Sequence, residues 1–237
     1  MNKYTGQEHF LLAVDCIIFG FDGKDLKLLL IQRGFEPELN KWSLVGGFLQ
    51  ETETLDQAAN RILKKLTGLA DIYLEQLYAF SGINRDPEER TVSVSYFALI
   101  DIQQYEKQIS HDYHAEWVLV SQRPALIFDH DQMVNLAQRQ LRYKAAIQPV
   151  LFELLPEKFT IAQLQSLYEG VYETMFDKRN FIRKLMSTGL LEKLEVKDKS
   201  GSRKGAYLYS IDKAKFNGKL DVFLNYINDK SELYIKK

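Results

Sequence analysis

Two stretches of the chain combine residue types and spacings able to do chemistry. The first is Asp177–Met186, DKRNFIRKLM. At ~100° per residue in a helix, Phe181, Ile182, Leu185 and Met186 share one arc, and Arg179, Asn180, Arg183 and Lys184 fall on the opposite one. Asp177 is placed to cap such a helix. A helix of this kind fits the major groove of DNA, where arginine or asparagine makes paired hydrogen bonds to guanine or adenine edges. Arg179, Asn180 and Arg183 are the candidates for bases. Lys178 and Lys184, with Ser202, Arg203 and Lys204 from the turn DKSGSRKG, are the candidates for phosphates, which position without specifying sequence. The second stretch is Trp42–Leu69, WSLVGGFLQETETLDQAANRILKKLTGL, a glycine turn with Glu51 and Glu53 ahead of a helix. Two carboxylates on a loop can hold a divalent cation weakly. Such a cation can neutralise negative charge and activate water. His111 and His114, with no cysteine cluster near them, read as a solvated loop, and no metal or cofactor is expected.

The elements that must position these residues follow from patterning. Leu11–Phe19 and Leu26–Gln32 are β-rich runs joined by GFDGKD, a hairpin signal. Leu55–Leu66 is a helix that Gly68 is placed to stop. Ile72–Phe80, Thr91–Ile100 and Trp117–Val120 read as strands, and Asp131–Ala146 as a long helix with Asp131 as N-cap. From Ile147 the pattern becomes three helices and a hairpin. Ile147, Val150, Leu151 and Leu154 recur at helical spacing. Thr160-x-x-Gln163 is a capping box ahead of Ile161, Leu164, Leu167 and Tyr168. The third helix is Asp177–Met186, and after Gly189 the runs Leu191–Lys197 and Ala206–Ile211 alternate as strands. Two helices, a cationic third helix and a basic hairpin make a winged helix-turn-helix.

The box in the first half resembles the Nudix box of nucleoside-diphosphate-linked hydrolases, G-x5-E-x7-R-E-U-x-E-E-x-G-U with U aliphatic. It matches in register at Gly47, Glu53, Arg61, Leu63, Gly68 and Leu69, with Trp42, Leu44, Gly46 and Gly47 as the usual entrance and Val45 where a proline is common. The resemblance asks for metal-binding glutamates at positions that hold Ile62, Lys65 and Leu66, so hydrolysis is not expected. It implies a pocket for a small molecule, with Arg33, Asn40, Lys41, Trp42, Phe48, Glu53, Asn84, Arg85, Tyr96 and His130 as effector candidates. The alternative is a glycine turn before an amphipathic helix in an unrelated α/β protein.

Together the halves resemble the Nudix-related transcription regulators, with FDHDQ at Phe128–Gln132 and DKRNF at Asp177–Phe181 as further similar segments. The implied architecture is α+β: an N-terminal Nudix-like α/β/α sandwich over 1–146 and a C-terminal winged helix-turn-helix domain over 147–237. The family implies a homodimer on a palindromic DNA operator, its two third helices about one DNA turn, ~34 Å, apart, with a ligand weakening the grip. One group of the family senses ADP-ribose and controls NAD biosynthesis; another, the AraR type of gut Bacteroides-like bacteria, senses L-arabinose and controls sugar use. The missing carboxylates tilt the reading toward a neutral sugar, L-arabinose, and a repressor of sugar-utilisation genes. An ADP-ribose sensor, a residual hydrolase and a protein-interaction module without a DNA role stay open.

Composition agrees. Of 237 residues 46% are hydrophobic, enough for a substantial core. Val150 to Lys237 hold 16 Lys and Arg against 12 Asp and Glu, a net of +4; the remainder, 15 and 20 of the totals 31 and 32, is −5. The basic half suits a polyanion and the acidic half does not. Cys16, in an apolar run, is expected to be a packed strand residue, and the lone cysteine, the lack of a signal peptide and the lack of a long apolar run make a cytoplasmic protein with no membrane partner the expectation.

Overall fold

The computed structural model describes residues 6–110, 113–199 and 203–215. β1 (Leu11–Phe21) and β2 (Leu26–Gln32) form the expected hairpin, Phe19 opposite Leu28. Asp22 shapes its turn by accepting the N–H groups of Lys24 and Asp25, and Gly23 takes a φ of +94°. Then come β3 (Trp42–Ser43), β4 (Val45–Phe48), α1 (Leu55–Thr67), β5 (Glu75–Phe80), β6 (Thr91–Asp101), α2 (Ile102–Tyr105), β7 (Ala115–Leu119) and α3 (His130–Ile147). The sheet runs β3-β2-β1-β6-β5, with β4 added to β1 and β7 to β2. Its axis is the parallel pair β1 and β6, in register from Leu11 opposite Thr91 to Phe21 opposite Asp101.

Because side chains alternate across a strand, the sheet has two faces. Val14, Cys16 and Ile18 join Val94, Tyr96 and Ala98 under α1, which contributes Ala58, Ala59, Ile62 and Leu63. Ile17, Phe19, Phe21, Leu28, Leu30 and Phe97 pack on the other face against Met133, Val134, Ala137 and Leu141 of α3. α1 starts at a capping box between Thr54 and Gln57 and ends at Gly68, whose φ is +79°. A Cβ at Gly68 would stand 2.1 Å from the Gln108 carbonyl oxygen, so only glycine fits there.

The second unit contains β8 (Phe159–Thr160), α4 (Ile161–Tyr172), α5 (Lys178–Ser187), β9 (Leu191–Asp198) and β10 (Ala206–Ile211), with sheet order β8-β10-β9. Both expected caps are made: Thr160 and Gln163 bond reciprocally, and the Asp177 carboxylate accepts the Asn180 N–H at 2.9 Å. Phe181 of α5 is fully buried, stacked on Phe176 at 5.8 Å and edge-on to Tyr168 at 5.5 Å. Its core is continuous with that of the sheet: Phe21, Leu26 and Leu28 belong to the same apolar cluster as Leu164, Tyr168, Val171, Phe181 and Leu185. Gly170 lies against the hairpin, a Cβ there falling 3.1 Å from the Leu26 Cβ. Among the described residues no helix is long and apolar enough to cross a membrane.

Four expectations are corrected. Residues 72–74 are not strand, and β5 begins at Glu75. Asp131 does not cap α3; Asp129 stands at the N-cap, and the Asp131 carboxylate instead accepts Arg123 Nε at 3.1 Å and the Leu126 N–H at 3.0 Å. Ile147–Leu154 is not an α-helix, because Pro149 has no N–H to donate and α3 stops at Ile147; Val150–Leu154 is a 3-10 turn. The second unit therefore has two helices and a turn in place of three helices.

Candidate effector site and nucleic-acid interface

In the glycine box, β4 presses against β1, with Gly46 opposite Asp15 and Gly47 opposite Val14. A Cβ at Gly46 would come within 2.0 Å of Asp15 Oδ1, and one at Gly47 within 3.2 Å of Ile62. Gly46 is thus needed for the close approach, and Gly47 packs tightly on Ile62. Glu53 is not free. Arg61 grips it in a fork, Nε to Oε2 at 2.7 Å and Nη2 to Oε1 at 2.5 Å, and also donates to the Phe48 carbonyl at 2.9 Å. The guanidinium holds the Glu53 carboxyl below the usual range. Ile62 is buried, Leu66 packs against the same cluster, and Lys65 is exposed. The divalent cation that the fold implies does not fit this donor set: one carboxylate is bound to arginine, and no group of three His, Cys, Asp or Glu residues is gathered among the described residues.

Below the loops on the α3 face lies a buried polar cluster. Arg85 donates to Asp129 twice, Nε to Oδ2 at 3.0 Å and Nη2 to Oδ1 at 2.7 Å, and stands 3.7 Å from Asp15 Oδ2. Ser93 donates to Asp15 at 2.5 Å. The Leu44 N–H donates to His130 Nδ1 at 3.2 Å, leaving Nε2 to carry the proton, 3.6 Å from Asp15 Oδ1. Burial holds the His130 pKa below its ordinary value against the pull of Asp15 and Asp129. At the rim, Arg33 lies 4.3 Å over the Phe35 ring and 5.9 Å from that of Phe128, which holds a φ of +52°. Arg33 Nε donates to the Pro37 carbonyl at 2.8 Å, and its terminal nitrogens meet no acceptor among the described residues. Partial burial lowers its pKa, while Asp86, Glu38, Asp15 and Glu36 oppose the shift.

The ten effector candidates therefore do not form one site. Arg33, Arg85 and His130 come together, the last two locked into the protein itself. Asn40 and Lys41 are exposed on the following turn, Asn40 at a φ of +62° with its N–H on the Arg33 carbonyl and Lys41 ion-paired to Glu38. Trp42 packs against the core, Phe48 is half-exposed and Asn84 exposed. Tyr96 is excluded from the cluster, because β6 alternation turns it to the α1 face, where its hydroxyl donates to Asp56 at 2.6 Å. Sequence reading missed Asp15, Ser93, Asp129 and Phe35. A charged residue inside the apolar run LLAVDCIIF was the one available signal.

On α5, Lys178, Arg179, Asn180 and Arg183 are exposed, and Lys184 is half-buried. Arg183 Nη2 donates to Asn180 Oδ1 at 2.9 Å, so the pair presents a joined guanidinium and amide. Met186 departs from the expected core arc and is 39% exposed. Arg203 and Lys204 are exposed in the hairpin; Ser202, like His111, lies outside the described residues. His114 is exposed. The hairpin adds cations that sequence reading passed over: Lys193 and Lys197 stand over the Tyr207 ring at 3.6 and 4.5 Å.

A sandwich of this topology carrying the glycine box, followed by a winged helix, defines a Nudix-domain protein with a nucleic-acid-binding type of appendage. The chain matches the NUDIX domain over residues 9–149 and the NrtR DNA-binding winged helix domain over residues 151–211. It is 34% identical over 212 residues to the ADPR responsive transcriptional repressor NtrR of Acinetobacter baylyi, covering 87% of this chain and 85% of that protein. NrtR of Shewanella oneidensis, solved with a 27mer DNA, superposes with a TM-score of 0.73 at 32% identity over 88% of this chain and 96% of that one. The Nudix domain of the same protein, solved with ADP-ribose, gives 0.51 at 34% identity over 59% and 93%. An ADP-ribose pyrophosphatase of Methanocaldococcus jannaschii is 33% identical over 136 residues, 57% of this chain and 77% of that one. The chain belongs to the NrtR-type family of Nudix-domain transcriptional regulators. These relatives do not support the expected L-arabinose effector. The inference from missing carboxylates fails physically, since a guanidinium can bind a diphosphate without metal.

Proposed function

We propose that this chain is a DNA-binding transcriptional repressor whose Nudix domain recognises ADP-ribose without hydrolysing it, and whose grip on an operator weakens when ADP-ribose binds. The observation that carries this reading is the match across both domains to a repressor named for its response to ADP-ribose. Arg33, with uncommitted terminal nitrogens, is suited to the diphosphate, and the exposed Phe35 ring to a base. Arg179, Asn180 and Arg183 read base edges, while Lys178, Lys184, Arg203 and Lys204 meet phosphates. A homodimer sets two α5 helices on a palindromic site.

Calorimetry with ADP-ribose and L-arabinose side by side tests the effector, together with retardation of a duplex selected by the full chain. ADP-ribose should bind and release the DNA, and L-arabinose should do neither; the reverse pattern overturns the reading. The second reading is a residual hydrolase, favoured by the match to the pyrophosphatase. Against it stand the bound state of Glu53 and the side chains at 62, 65 and 66. Magnesium-dependent turnover of ADP-ribose, abolished by chelator and by Glu53→Gln, would establish it.

A further inference from the structure

Between α3 and the turn that launches α5 lies a small set of polar contacts that the Nudix fold does not need. Arg142 donates from Nε to the Val171 carbonyl at 2.7 Å, one of the last carbonyls of α4, and its Nη2 forms an ion pair with Glu173 Oε2 at 2.9 Å. One turn earlier on α3, Gln138 donates to Glu173 Oε1 at 3.1 Å. The Tyr172 hydroxyl returns a hydrogen bond to the Arg142 carbonyl at 3.0 Å. A cation at the end of α4 also answers the negative pole of that helix.

Glu173 ends α4 with a φ of +52°, and its N–H closes on the Glu169 carbonyl. The left-handed region disfavours any residue with a side chain by roughly 1–2 kcal/mol, and glycine or asparagine is the usual occupant. A glutamate held there, with both oxygens engaged by a different element, indicates that its side chain is used. The turn beyond it is also fixed: Glu169 accepts the Phe176 N–H at 2.9 Å, and Gln165 donates to the Phe176 carbonyl at 3.1 Å. Asp177, the cap of α5, follows directly. The direction in which α5 leaves the protein is thus set at Glu173, and α3 is what grips it.

We infer that Gln138, Arg142 and Glu173 are positioning residues for DNA recognition: a clamp by which α3 of the Nudix domain aims the α5 helix. None of the three lies on the exposed face of α5. The inference rests on the DNA-binding reading above, and the sign of one measurement separates it from a merely electrostatic role. An exposed carboxylate at the root of a DNA-facing helix repels phosphate, so its removal should tighten binding. A carboxylate that aims the helix should, when removed, loosen it.

The test uses the full chain and the duplex that wild type selects from a random-sequence pool. Glu173→Gly keeps the left-handed backbone and deletes the side chain. The Kd should rise about tenfold while the salt slope stays unchanged, because no phosphate contact is lost. Arg142→Met should loosen binding as well, and it supplies the same readout should the glycine variant fail to fold. The double variant should lose less than the sum of the two single losses, since both break the shared Arg142–Glu173 pair. Glu173→Gln, which can still accept from Gln138, should recover most of the affinity. Equal or tighter binding by Glu173→Gly, or additive losses in the double variant, would overturn the clamp. A wild type that selects no duplex would instead sink the DNA-binding reading, and the clamp with it.

Discussion

Replacing Arg85 by methionine asks whether this residue serves the protein or a ligand. Its side chain is 3% exposed, and the partners Asp129 and Asp15 are 13% and 7% exposed. The substitution keeps the volume of the stem but leaves two carboxylates in a low-dielectric setting without their counter-charge. Breaking one partner out of a buried pair costs about 3–5 kcal/mol. For a chain of this length about 1 kcal/mol moves the midpoint by roughly 2–4 °C, so a fall on the order of 10 °C is expected. Thermal unfolding followed by circular dichroism measures it. Asp129→Asn in the Arg85→Met background should recover part of the loss, because it removes one of the two stranded charges. A fall of less than about 2 °C with ADP-ribose affinity abolished would refute the reasoning and make Arg85 a ligand-facing group.

Three other outcomes follow from the geometry. Arg183→Ala should weaken binding of the selected duplex with little change in melting temperature, since Arg183 is exposed; unchanged affinity would mean that α5 does not face DNA. His130 has a folded pKa below its ordinary value, so the unfolded chain takes up its proton first as pH falls. Its share of stability is intact above pH ~6.5 and declines below that by at most about 1.4 kcal/mol per pH unit. Denaturant midpoints from pH 7.5 down to 5 should therefore fall more steeply in wild type than in His130→Gln, and parallel curves would contradict the assignment. Phe181→Ala, emptying a fully buried aromatic site between Phe176 and Tyr168, should cost about 3–5 kcal/mol; a urea midpoint within error of wild type would place the core elsewhere.

Local signals in the sequence were read where local physics decides. The Asp-Gly turn at 22–23, the left-handed Gly68, the Thr160–Gln163 box and the Asp177 cap all depend on residues a few positions apart, and the structure makes each of them. Neither neighbouring aspartate caps α3 with its side chain, because other partners claim both carboxylates: Arg85 takes Asp129, and Arg123 takes Asp131. The helical spacing at 147–154 was real, but Pro149 decides against an α-helix. The polar cluster was legible only in fragments. Asp15 meets Ser93 because β1 and β6 pair in parallel over eleven residues, a register that no local pattern records. The family resemblance puts Tyr96 in the pocket, and strand alternation sends it through to the other face.

The apolar mass that Phe21, Leu26 and Leu28 share with Tyr168, Val171 and Phe181 governs how this regulator can work. A winged helix tied on by a tether could swing freely; this one is embedded, so it moves together with the Nudix domain or by sliding against it. Heat or denaturant should then abolish ligand binding and DNA binding in one cooperative step. A fragment beginning at residue 151 would leave an oily flank open to water and would aggregate, and grafting the C-terminal unit onto another sensor would require carrying α3 and the β1–β2 hairpin with it.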